Sequence, residues 1–135
     1  MIKTYELISP YIQNPIHAIF YYNQDNRQFG LFIPNEVKNT ELPFIFNLYV
    51  QKGIRHLNDE QTRRWIKDRI TPPSRQNIGM ILKEVGIKQY DEFEILIYNK
   101  GRSCMDEFYL EECSPDLLNS YINQENNYEL ENDNI

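Results

Sequence analysis

The chain has 135 residues, 41% of them hydrophobic, and a formal net charge of −6, which leaves room for one core and too little for two ordinary domains. It contains no uninterrupted apolar run of about 18 residues, so a spanning helix is excluded. The N-terminal "MIKTYELISP" lacks the apolar segment of a signal peptide, so a cytoplasmic protein with no membrane partner is expected.

In chain order, "IHAIFYYN" (16–23) and "RQFGLFI" (27–33) are rich in aromatic and β-branched residues, and the turn formers "QDN" between them predict a hairpin. "PNEVKNTELP" (34–43) is a polar connection bounded by prolines. "FIFNLYV" (44–50) fits a strand or a short buried helix, because seven residues are too few for periodicity to decide. "NDEQTRRWIKDRI" (58–70) reads as a helix, with Asn58 as N-cap and Asp59 and Glu60 in the first turn, where the helix dipole favours acids. Trp65, Ile66 and Ile70 give it an apolar side. Pro72 and Pro73 are expected to stop it, since proline lacks the amide hydrogen and disfavours helix in the preceding residue.

Ser74 is placed to cap the next helix, in which Ile78, Ile81, Leu82 and Val85 have the spacing of a buried face and Gly86 is a C-cap. Loss of that cap should cost on the order of 1 kcal/mol. "YDEFEILIYNKG" (90–101) is expected to be a helix with Phe93, Ile95, Leu96 and Ile97 largely buried, and "SCMDEFYLEE" (103–112) a strand. Ser114 and Pro115 open a short helix over 114–122. The remainder, 123–135, is polar and acidic and is expected to be a disordered tail. The fold class that results is α+β: a single small domain over 1–122, its N-terminal antiparallel strands packed with three to four short helices.

The charge is unevenly spread. Residues 52–88 carry nine basic groups and four acids, a balance of +5, whereas residues 89–135 carry twelve acids against Lys100 and Arg102, a balance of −10. Such halves complement each other within one fold or present a face to an anionic partner. The two cysteines, Cys104 and Cys113, are expected to be reduced thiols. His17 and His56 form no zinc-ligand spacing, the five glycines are solitary and make no phosphate-cradling loop, and adjacent carboxylates have no catalytic specificity. No cofactor and no catalytic residue are therefore expected, and the chain reads as non-enzymatic.

The stretch "DRITPPSRQNIGMIL" (68–82) admits three readings. Arg75, Gln76 and Asn77 are of the types that read base edges from the start of a helix-turn-helix recognition helix. Against that, "TPP" is a stiff connection and the chain as a whole is acidic, so no specific DNA binding is expected. The helix start with Arg75 beside it could hold an anion. The preferred reading is a structural corner, with Arg75 pairing an acid such as Asp106.

Residues 53–112 resemble the N-terminal region that precedes the kinase domain in HipA-like serine/threonine kinase toxins. The positions that carry the resemblance are Gly53, Trp65, Arg69, Pro72 or Pro73, Ser74, Arg75, Leu82, Gly86, Gly101, Ser103, Asp106, Phe108, Tyr109 and Leu110. Phe108-Tyr109 stands where the pattern has Tyr-Trp, and Arg102 where it has leucine. No ATP-binding loop or catalytic aspartate motif follows, so the resemblance implies a free-standing, HipS-like module. Such a module would be an antitoxin or regulatory subunit of a bacterial toxin–antitoxin system, with a HipA-like kinase as its protein partner in trans. Trp65, Arg69, Pro72, Pro73, Ser74, Arg75, Gln76, Asp106, Phe108 and Tyr109 are the candidate structural or interaction residues. An alternative expectation is a small phage or mobile-element inhibitor that meets a nucleic-acid-binding protein through the acidic residues of 106–133.

Overall fold

The computed structural model describes residues 1–9, 16–38 and 41–123. Its elements are β1 (Ile2–Ile8), β2 (Ile16–Asn23), β3 (Gln28–Phe32), α1 (Phe44–Gln51), β4 (His56–Leu57), α2 (Asp59–Ile66), α3 (Ile78–Val85), α4 (Glu92–Tyr98) and β5 (Tyr109–Cys113). A last helix, α5, covers 115–123. The five strands form one sheet in the order β4-β3-β2-β1-β5, antiparallel throughout. The fold is α+β, and the described residues hold five helices where three to four were expected.

The hairpin forms where the turn residues predict it, with Tyr22 facing Phe29 and Asn23 facing Gln28. Strand β1, at a segment for which the sequence reading places no element, lies between β2 and β5 and so joins the two ends of the fold. The ambiguous segment 44–50 is helical. In that register Phe46 and Tyr49, three apart, share the buried side, whereas Phe44 and Leu48 point to solvent.

The sheet is covered on both faces, which explains why its strands read as aromatic runs without clean alternation. One face, with Leu7, Phe20, Tyr22 and Leu31, packs under Phe46 of α1, Trp65 and Ile66 of α2, and Phe93 and Leu96 of α4. Each such side chain contributes about 1.5–3 kcal/mol when fully buried. Aromatic rings dominate this layer: Tyr22 stacks on Phe93 at 4.3 Å, and Trp65 lies 5.4 Å from Phe46 and 6.2 Å from Phe20. The other face, with Ile19 and Phe32, packs against Leu118 of α5. There the Tyr21 ring lies over Gly30, so closely that a Cβ at that position would overlap the ring. Only glycine fits beneath it.

Three sequence expectations are corrected. Helix α2 ends at Ile66, ahead of the prolines, because the Arg69 amide donates to the Ile66 carbonyl and tightens the last turn. The expected strand 103–112 begins only at Tyr109. Before it, the Met105 amide donates to Ser103 Oγ and the Phe108 amide to Asp106 Oδ1, local bonds that compete with strand pairing. Helix α3 buries none of its residues fully, and Ile78, Ile81, Leu82 and Val85 are half-buried. The tail expected to be disordered lies, from residue 124 on, outside the described residues, and Asn123 is the last residue of α5. No helix among the described residues is long and apolar enough to cross a membrane.

Candidate protein-docking site

Helix α2 supplies the first wall of the site. Asn58 caps it as the sequence predicts: its side chain accepts from the Gln61 amide, and the Gln61 side chain accepts in return from the Asn58 amide. Arg63 binds Asp59 one turn earlier at 2.7 Å and reaches Glu92 of α4 at 2.6 Å. These contacts fix the helix so that Trp65 turns inward, with its indole N–H buried and without a hydrogen-bond partner among the described residues.

Arg69 follows Trp65 by one turn and is the centre of the site. Its side chain is 3% exposed, and its guanidinium lies 4.3 Å from the centre of the Trp65 ring. Nη1 donates to the carbonyls of Gly101 at 2.6 Å and Phe108 at 3.3 Å, while Nη2 pairs with Asp106. A buried guanidinium is tolerated because its charge and both of its Nη groups are answered. Asp106 in turn orders the loop, accepting from the Phe108 amide at 3.0 Å. Gly101 takes a left-handed φ of 66° and fits against Leu110, so its carbonyl is presented to Arg69. The clamp therefore ties the end of α2 to the loop that delivers β5.

Beside the clamp lies an open groove of about 630 Å³, lined by Pro43, Phe44, Ile45, Arg64, Trp65, Asp68, Arg69, Ser103, Met105 and Asp106. Two large apolar side chains stand at its rim in solvent, Phe44 at 76% and Met105 at 82% exposed. Exposed apolar groups grouped around a groove mark a surface suited to a protein partner. Sequence reasoning passes over both. Phe44 could have been found by assigning α1 and noting which residues lie opposite Phe46 and Tyr49; Met105 sits in a loop and carries no periodic signal.

The proline corner is placed differently from expectation. Pro72, Pro73, Ser74, Arg75 and Gln76 are all exposed. Ser74 does not cap α3: the helix starts at Ile78, its N-cap is Asn77, and no side chain caps it. Successive turn bonds, Arg75 N–H to the Pro72 carbonyl and Ile78 N–H to the Arg75 carbonyl, carry the chain past Ser74 before helix begins. Nor does Arg75 pair with Asp106; Arg69 has that partner, and Arg75 makes no ion pair with the described residues. Eleven residues, 67–77, separate α2 from α3, whereas a helix-turn-helix joins its helices by a turn of about three or four.

Trp65, Arg69, Asp106 and Phe108 thus converge, and the proline corner does not join them. Tyr109 is half-buried on β5 under the guanidinium of Arg102 at 4.5 Å. Both cysteines are free thiols, Cys104 exposed and Cys113 half-buried, and burial pushes the Cys113 thiol up. His56 shares a 2.6 Å hydrogen bond with the Tyr21 hydroxyl, and the side chain of His17 is outside the described residues. No group of three or more His, Cys, Asp or Glu residues able to hold a metal occurs among the described residues. Compared with protein-family models, with curated proteins and with solved structures, the chain matches none.

Proposed function

We propose that the protein is a non-enzymatic regulatory or antitoxin-like subunit that docks on a HipA-like kinase in trans, with the Phe44–Met105 groove as its contact surface. The observation that carries this reading is spatial convergence. Trp65, Arg69, Gly101, Asp106 and Phe108, named for the resemblance from separate parts of the sequence, meet in one clamp. That clamp supports the floor of a groove whose rim is exposed and apolar. Anchoring of this kind suits a protein interface, where a few aromatic and apolar side chains surrounded by polar groups supply most of the binding energy. It offers little to a nucleic-acid duplex, whose affinity rests on phosphate neutralisation.

The test is co-expression of the full chain with the kinase-like reading frame nearest its gene. Retention of the kinase on the tagged chain in near-equal amount is the expected result. A gel shift with the chain alone against its own upstream DNA, at about 150 mM salt, should show no sequence-dependent complex. Submicromolar, sequence-dependent DNA binding would overturn the reading in favour of a DNA-binding regulator.

A further inference from the structure

The segment 68–75 and the loop after α4 border a second, shallow pocket of about 260 Å³, adjoining the groove and sharing Asp68, Arg69 and Ser103 with it. Arg75 and Arg102 line it, and neither guanidinium has a carboxylate partner among the described residues. The third arginine there, Arg69, is already spent on Asp106. Arg102 is held in place by its contact with the Tyr109 ring, and the corner is pinned by the Tyr90 hydroxyl, which donates to the Thr71 carbonyl at 2.7 Å. Ser103 Oγ accepts from the Met105 amide, which leaves its proton free to donate. Thr71 also lines the pocket, and its hydroxyl makes no hydrogen bond with the described residues.

We propose that this pocket binds a phosphate monoester group, held between Arg75 and Arg102 with the hydroxyls of Thr71 and Ser103. Two planar forks and two hydroxyl donors offer more hydrogen bonds than the two oxygens of a carboxylate use well, whereas a phosphate monoester presents three terminal oxygens and close to two negative charges. Asp68 is the one acid lining the pocket, so two cations face one carboxylate there once the Arg69–Asp106 pair is set aside. The field is therefore locally positive, but the chain's net charge of −6 disfavours a long polyanion such as duplex DNA. The assignment does not depend on the kinase reading.

The experiment is amide NMR titration of the full chain with sodium phosphate, O-phosphoserine, sodium acetate and duplex DNA at matched ionic strength. Phosphate or O-phosphoserine should shift the amides of 71, 99 and 102–104 saturably, and acetate should not. Phosphoserine binding as tightly as phosphate or tighter supports the monoester and identifies a phosphorylated side chain as the source, whereas phosphate bound with phosphoserine excluded overturns the monoester in favour of the free ion. Arg75→Gln and Arg102→Gln should each weaken binding at least about tenfold, the loss of one charge-assisted hydrogen bond. Asp68→Asn should tighten it. Arg75 is exposed and unpaired, so its variant folds whatever becomes of Arg102. The proposal fails if phosphate causes no saturable shift, if both arginine variants bind as the parent does, or if duplex DNA occupies the same residues in preference.

Discussion

Helices α2 and α3 are each eight residues long, and each shows an apolar side in its sequence, yet they are held very differently. Helix α2 has a complete capping box, ion pairs to its own first turn and to α4, and Trp65 and Ile66 buried in the aromatic layer. Helix α3 has no side-chain cap and buries no residue fully, and Met80 is 75% exposed. An amphipathic pattern thus reports which side of a helix prefers a core; it does not report whether a core is there. What decides between the two is the chain around them: Arg69 draws the end of α2 onto the β5 loop, whereas the proline corner carries α3 away to lean on α4, where Glu84 accepts from the Tyr98 hydroxyl.

The largest effects should come from breaking the α2 side. Arg69→Ala leaves Asp106 without its partner and two carbonyls without donors, and is expected to cost about 3–5 kcal/mol. A thermal melt showing a Tm loss of under a few degrees would mean the clamp is solvent-screened. Trp65→Ala should cost a similar amount, about 3–5 kcal/mol. Ile81→Ala on α3, half-buried, is expected to cost only about 1 kcal/mol, and equal losses in urea unfolding would erase the contrast between the helices.

Caps give a finer comparison. Asn58→Ala removes an observed cap and should cost about 1 kcal/mol, whereas Ser74→Ala should leave the denaturation midpoint in place. A destabilised Ser74→Ala would restore the sequence-based reading in which that serine starts the helix.

The smallest non-zero effect lies on the sheet. Glu6 faces Glu111 across the β1–β5 pair. Burial, and then that facing carboxylate, push the Glu6 carboxyl above the usual range. Its folded pKa exceeds its unfolded one, so the folded state keeps this proton longer, and the associated stability is present at low pH and lost as pH rises through the folded value. Glu6→Gln should therefore raise stability at pH 7 by a few tenths of a kcal/mol, with no gain at a pH below the ordinary carboxylate range. A gain at low pH alone would reverse the sign.

Features written in short stretches were legible in the sequence. The β2–β3 hairpin, the Asn58 cap, the buried side of α4 with Phe93, Ile95 and Leu96, and the Ser114 start of α5 all follow from turn formers, caps and periodicity within a few residues. Long-range pairing was not legible. Asp106 was expected to meet an arginine, but the choice of Arg69 over Arg75 depends on which side of α2 faces a loop 37 residues away. The same applies to β1, whose place between β2 and β5 joins opposite ends of the chain. The groove borders the Arg69–Asp106 pair, and Met105 at its rim had no local signature, whereas Phe44 becomes legible only once α1 is assigned as a helix.

The most direct measurement is the affinity of the co-expressed kinase for three forms of the chain: the parent, Phe44→Asp with Met105→Asp, and Met80→Asp. All three positions are exposed, so each form should melt near the parent temperature. The groove account predicts that the double variant weakens binding by about thirtyfold or more, the scale of one hot-spot residue, while Met80→Asp changes it by less than about threefold. Binding that survives the double variant and fails with Met80→Asp would place the docking surface on α3 and contradict the account.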